Sequence, residues 1–200
     1  MRITFSEEEL IHLLHAWAAI SFAFAVVLSG GIEGLGSSFV ENLIIAGVTV
    51  GMAFLIHELA HKVVAQKYGC WAEFRKFNFG LILAVVMSFI GFIFAAPGAV
   101  MISGLISREQ NGKISAAGPV TNIVLATLFF VLGTILFSVT GGISQFFAKL
   151  IRYGFFINAW LALFNMIPFA PLDGSKVLAW SPFAWVGIVA VAGFMVFGMR

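Results

Sequence analysis

The sequence predicts an all-α polytopic membrane protein of about five to six transmembrane helices, with a short interfacial β element and a re-entrant or hairpin segment. Two observations predict the class. Of the 200 residues 61% are hydrophobic and only 10% charged, where a soluble domain carries roughly 25% charged residues. The apolar residues also fall in runs close to the roughly 20 residues that a helix needs to cross hydrocarbon. In lipid an open chain satisfies its backbone polar groups only by coiling into helices.

Six apolar stretches follow one another at about 10–29, 40–67, 80–103, 115–140, 146–167 and 177–199. The first is preceded by Glu7, Glu8 and Glu9. That charge is opposite to the basic start of a secretory signal, so the stretch reads as an uncleaved span. Gly30–Gly31 and Glu33–Ser38 separate the first stretch from the second, and Gly141–Gly142 separates the fourth from the fifth. After the second, Trp71–Phe79 alternates partly and is rich in aromatics, which predicts a strand at the interface.

The third stretch holds Gly91 near its middle and Ala96–Pro97–Gly98 further on. Arg75 and Lys76 precede it, and Arg108–Lys113 separates it from the fourth. Cations gather on the cytoplasmic face, so both flanks belong to one face and 80–103 is expected to re-enter rather than cross. With the N-terminus inside, Arg2, Lys62, Lys67, Arg75, Lys76, Arg108, Lys113 and Lys176 lie on the cytoplasmic side, against Lys149, Arg152 and Arg200 outside. The expected location is a cell membrane, multi-pass, with the functional site toward the cytoplasm.

One membrane domain, residues 1–200 with a core at about 40–174, accounts for the length, with the lipid bilayer as its surroundings. A net charge of +2 and pI near 8.9 arise from few ionisable groups, which argues against nucleic acid as a partner. Cys70 stands alone and reads as a small interfacial thiol. Trp180, Phe183 and Trp185 around Pro182 read as interfacial anchors or lipid-facing packing. Gly118, Gly133, Gly141 and Gly154 would let helices approach closely.

The second stretch contains His57-Glu58-Leu59-Ala60-His61. Residues four apart share a helix face, so both imidazoles can address one zinc ion, with Glu58 offset as a base. With four His and eight Glu in the chain, H-E-x-x-H has a chance expectation on the order of 0.003. Three ionisable groups within five residues of an apolar helix are costly unless a metal or partners satisfy them. A catalytic zinc wants a third protein ligand. Asp173, the one aspartate, is either that ligand or a turn residue capping a helix before Gly174. His12 and His15, at i, i+3, read as structural or interfacial.

These residues resemble the site-2 proteases, membrane-embedded zinc metalloproteases of regulated intramembrane proteolysis. The resemblance rests on HELAH at 57–61, on Ala117-Gly118-Pro119 followed by Asn122, and on Asn165, Pro168 and Leu172-Asp173-Gly174, in the family's order. It implies a three-helix catalytic core (40–67, 115–140 and 146–167) and one zinc per chain held by His57, His61 and Asp173. The implied partners are membrane proteins with a transmembrane helix. Glu58 is then the base, with Asn165 and Asn122 as candidate oxyanion donors or interhelical hydrogen-bonding groups. The PDZ and CBS domains of many members are absent here. An exposed strand at 71–79 is expected to catch an unwound substrate by β-addition.

A metal transporter, or a metal-binding membrane protein without hydrolytic activity, is the reading from another class. It would favour further His, Asp or Glu along the spans, and the sequence shows no second cluster. A catalytically dead scaffold is opposed by the intact Glu58.

Overall fold

A computed structural model describes residues 3–36, 38–93 and 96–199. Arg2 and Arg200, counted among the flanking cations, lie outside the described residues, as do Phe94 and Ala95 within the third apolar stretch. The chain divides into two compact units, one of 4–55 with 73–101 and the other chiefly of 56–72 with 102–199.

In the first unit α1 spans Glu7–Leu28, started by Ser6, whose side chain accepts from the Glu9 N–H. Gly30, at φ 93°, and a 3-10 turn at Gly31–Gly34 reverse the chain. Next comes α2 (Phe39–Ala46), which continues through a π-turn at Gly47–Gly51 into α3 (Met52–Lys67). The Trp17 indole of α1 donates to the Gly47 carbonyl at 3.1 Å. Gly51 has no Cβ to collide with Trp17 and Ser21, so α1 lies close against this widened turn.

The third apolar stretch does not form one long helix. It folds into α4 (Asn78–Ser88), eleven residues long, and strand β2 (Gly98–Ser103), which pairs with β1 (Trp71–Lys76). The strand expected at 71–79 therefore ends earlier, because Asn78 and Phe79 open α4. Phe77 N–H bonds Pro97 O, Gly98 lies against Arg75 and Lys76, and Gly104 lies against Cys70, so the strands run antiparallel. Cys70 itself is buried and unpaired with any other cysteine.

In this register odd-numbered residues of β1 face β2, and Ala72 and Phe74 direct their backbone groups to the other edge. There the Ala72 carbonyl accepts from Lys62 Nζ at 3.0 Å and from Gln66 Nε2 at 3.3 Å. The Phe74 N–H donates to Glu9 Oε1 at 2.9 Å. Both edges of β1 are thus engaged. Two of the outward backbone groups of β1 that a segment added by the expected β-addition would need, Ala72 C=O and Phe74 N–H, are already taken by helix side chains.

In the second unit α5 (Arg108–Thr140) begins seven residues before the expected 115. Ser107 and Gln110 form a capping box there, so the polar run read as a loop is the first turns of the helix. It ends at Gly141, in the left-handed region. α6 (Gln145–Asn165), α7 (Asp173–Trp180) and α8 (Pro182–Phe197) follow. The stretch read as continuous over 177–199 is broken at Ser181–Pro182, where Ser181 caps α8 and Pro182 opens it.

α5 packs along α6 and α7, and α8 covers α6 and α7. Ala126 of α5, Ala159 of α6 and Met195 and Val196 of α8 form a buried seam. Gly133 meets Ile151, and Gly154 meets the Phe129 ring. These two glycines do bring the helices together, whereas Gly141 terminates one.

Among the described residues four helices are long and apolar enough to cross a membrane: Glu7–Leu28, Phe39–Lys67, Arg108–Thr140 and Gln145–Asn165. Asn78–Ser88 and Pro182–Phe197 are shorter apolar helices. Val124, Leu128, Val131 and Ile135 of α5 are each between 44% and 57% exposed. Such an apolar face calls for lipid rather than water. The protein is a helical membrane protein.

Candidate metal centre

The site lies within the second unit and is built from α3, α5, α6 and the start of α7. On α3, His57 and His61 sit one turn apart and both are buried, as is Glu58 between them. Asp173 is the first residue of α7 and is buried as well. Its position depends on Gly174, where a Cβ would collide with the backbone carbonyl of Met166. That same carbonyl accepts the Trp185 indole N–H at 2.7 Å. Trp185 is therefore a structural brace behind the aspartate, not a free interfacial anchor. Trp180 packs over Gly112, and Phe183 is 91% exposed.

The two Nε2 atoms lie 3.0 Å apart, and Asp173 Oδ2 stands 3.3 Å from that of His57 and 3.2 Å from that of His61. His61 Nδ1 lies 2.7 Å from the Ile114 carbonyl. A carbonyl only accepts, so Nδ1 carries the hydrogen and the neutral ring turns a lone pair inward at Nε2.

Lone pairs and a carboxylate crowded this closely repel one another unless a cation lies among them. A tetrahedral zinc with bonds of about 2.0–2.1 Å separates its ligand atoms by roughly 3.3 Å. The observed triangle of 3.0, 3.2 and 3.3 Å therefore fits one face of such a tetrahedron. The fourth direction is left for water or substrate. Gly118 of α5 makes room: a Cβ there would lie 2.5 Å from both Nε2 atoms.

The chain is 41% identical over 199 residues to "Putative zinc metalloprotease MJ0611" of Methanocaldococcus jannaschii, covering 98% of this chain and 96% of that protein. The chain belongs to this zinc metalloprotease family. The relatives' names are consistent with the site-2 protease family that the motifs of this chain resemble. "Putative zinc metalloprotease YwhC" of Bacillus subtilis is 32% identical over 151 residues, 66% of each chain. "Zinc metalloprotease MJ0392" of M. jannaschii is 29% identical over 153 residues, 72% of this chain but 37% of that protein. No family model matches the chain, and no solved structure matches it significantly.

In this member of the zinc metalloprotease family the two candidate asparagines are placed differently. Asn122 of α5 is fully buried, with Oδ1 2.6 Å from His57 Nδ1 and Nδ2 donating to Asn158 Oδ1 at 2.9 Å. Asn165, at the end of α6, turns its amide onto the Leu161 carbonyl of its own helix at 2.9 Å. The metal-facing nitrogens are thus backed by a side chain at one ring and a backbone carbonyl at the other. Asn158 and the Ile114 carbonyl escaped the reading of the sequence. A carbonyl has no residue signature, and Asn158 stands in no motif.

Of the remaining histidines, His15 Nδ1 meets Lys76 Nζ at 2.8 Å, and His12 Nε2 lies 3.9 Å from Glu8. Both belong to the first unit, where His15 reaches the last residue of β1.

Proposed function

We propose that this protein is an intramembrane zinc metalloendopeptidase, hydrolysing peptide bonds within or near transmembrane segments of membrane proteins. The observation that carries this reading is the triangle of His57, His61 and Asp173 on apolar helices, with Glu58 beside the two imidazoles in sequence. Membership of a family whose relatives are named zinc metalloproteases supports it.

His57, His61 and Asp173 would hold the zinc, which polarises the scissile carbonyl and makes water acidic enough to react near neutral pH. Glu58 takes the proton from the attacking water at its carboxylate. The water oxygen bonds the carbonyl carbon, the C–N bond breaks, and Glu58 hands the proton to the leaving nitrogen. Asn122 orients His57 in this scheme rather than reaching the oxyanion, because both ends of its amide are committed. Asn165 serves as oxyanion donor only if its amide leaves the Leu161 carbonyl on substrate binding.

The scissile segment must uncoil first, since a helical substrate hides its carbonyls in its own hydrogen bonds. We place the site toward the cytoplasmic face of a cell membrane. Among the described flanking cations, Lys62, Lys67, Arg75, Lys76, Arg108, Lys113 and Lys176 stand against Lys149 and Arg152.

The test is zinc stoichiometry and cleavage of a model single-span substrate by full-length protein in liposomes. One zinc per chain and cleavage that Glu58→Gln abolishes without loss of metal support the reading. Zinc flux across the liposome with no cleavage would establish the transporter instead.

A further inference from the structure

We propose that Asn158 of α6 is a positioning residue for the zinc ligand His57, acting through Asn122. Its role is to decide which end of the Asn122 amide faces the imidazole, and so which ring nitrogen of His57 is left bare for the metal. This rests on the zinc reading of the site.

The Gly154 carbonyl can only accept, and the group facing it at 2.8 Å is the Asn158 side chain. Asn158 must therefore place its Nδ2 there, which leaves its Oδ1 toward Asn122, 2.9 Å away. An oxygen facing Asn122 selects the Nδ2 end of that amide as its partner. The Asn122 Oδ1 then points at His57 Nδ1, 2.6 Å away. An acceptor at this position requires the hydrogen on Nδ1, so the neutral ring presents Nε2 to the shared point with His61 and Asp173.

Each link is required, since an amide turned over at any point would set donor against donor or acceptor against acceptor. Asn122 and Asn158 are both fully buried, so water does not relieve such a mismatch. The chain of polarity is short because the helices touch. Gly154, one turn before Asn158, lacks the Cβ that would collide with Phe129 of α5. His61 has no such chain; its Nδ1 rests directly on the Ile114 carbonyl.

Zinc affinity is the readout, measured on the detergent-solubilised full chain by competition with a chromophoric chelator, alongside thermal unfolding. Asn158→Leu keeps the branched shape and removes both polar ends, and with them the acceptor that Asn122 Nδ2 faces. Zinc is expected to bind about 10–100-fold more weakly. Asn158→Thr, whose hydroxyl can still bond the Gly154 carbonyl but does not reach Asn122, is expected to show the same loss and serves if the leucine variant does not fold. Asn158→Asp still offers Asn122 an acceptor and is expected to bind zinc close to wild type.

The decisive variant adds Asn122→Asp to Asn158→Leu. A carboxylate accepts at either end, so it has no wrong orientation toward His57, and zinc affinity is expected to return to that of Asn122→Asp alone. Wild-type zinc affinity in both Asn158→Leu and Asn158→Thr would overturn the proposal. So would a double variant as weak as Asn158→Leu, because a purely structural role for Asn158 is not repaired at position 122. A wild-type protein that binds no zinc overturns the metal reading itself, a different outcome from zinc bound equally by all variants.

Discussion

The polar groups around His57 and His61 and those at the α1 end of β1 obey opposite rules. At the metal centre the supporting groups are buried and neutral, and each chain of hydrogen bonds ends on a backbone carbonyl, of Ile114 or of Gly154. At the strand they are mostly charged and partly exposed. Arg75 lies 2.7 Å from Glu73 and 3.3 Å from Glu8, Ser6 Oγ donates to Glu73 at 3.2 Å, and Lys76 meets His15. Glu9 there is buried, and it too takes a backbone N–H. The first region holds its two rings through short chains of neutral groups. The second has several contacts that can replace one another.

That contrast sets the order of expected effects. Asp173→Ala should abolish both zinc content and cleavage, read by metal analysis and a substrate gel; retained stoichiometric zinc would remove Asp173 from the ligand set. Glu58→Gln should lower the cleavage rate by about 10²–10⁴-fold with zinc unchanged, and near-normal cleavage would place the base elsewhere. Gly118→Ala puts a methyl group 2.5 Å from both Nε2 atoms and should weaken zinc binding by about tenfold or more. Equal chelator competition by wild type and variant would show that the rings yield.

In the strand region Glu9→Ala leaves the buried Phe74 N–H without its carboxylate, a loss of about 1–3 kcal/mol in thermal or chemical unfolding. Zinc content should be unaffected. Arg75→Ala should cost less than about 1 kcal/mol, since its guanidinium is partly exposed and Ser6 still donates to Glu73 in its absence. A larger loss for Arg75 than for Glu9 would mean that the exposed contacts, and not the buried one, hold the strand.

The sequence showed the two imidazoles plainly because their alignment needs only one helix and a spacing of four. Asp173 was legible through its uniqueness and its place in a family pattern. The amide pair was not, since Asn122 and Asn158 meet only when α5 and α6 pack, and nothing local announces which buried asparagine faces which. Hydropathy marked where helices meet lipid but not where they begin or break. Residues 108–114 are polar yet helical because a capping box starts α5 at Ser107, and 177–199 is apolar yet broken by Pro182. The run 80–103 was apolar enough for a span, but Pro97 and Gly98 mark the point where it turns into a strand.

The burial of Glu58 alongside Asp173 also bears on how the protein is assembled. Glu58 and Lys62 sit one turn apart on α3 and are both buried, and the Asp173 carboxylate faces two imidazoles. Zinc brings positive charge to that carboxylate within the hydrocarbon, whereas the same groups without it would have to take up protons instead. Insertion and metal loading should then be linked events, and protein produced under zinc starvation should accumulate less in the membrane.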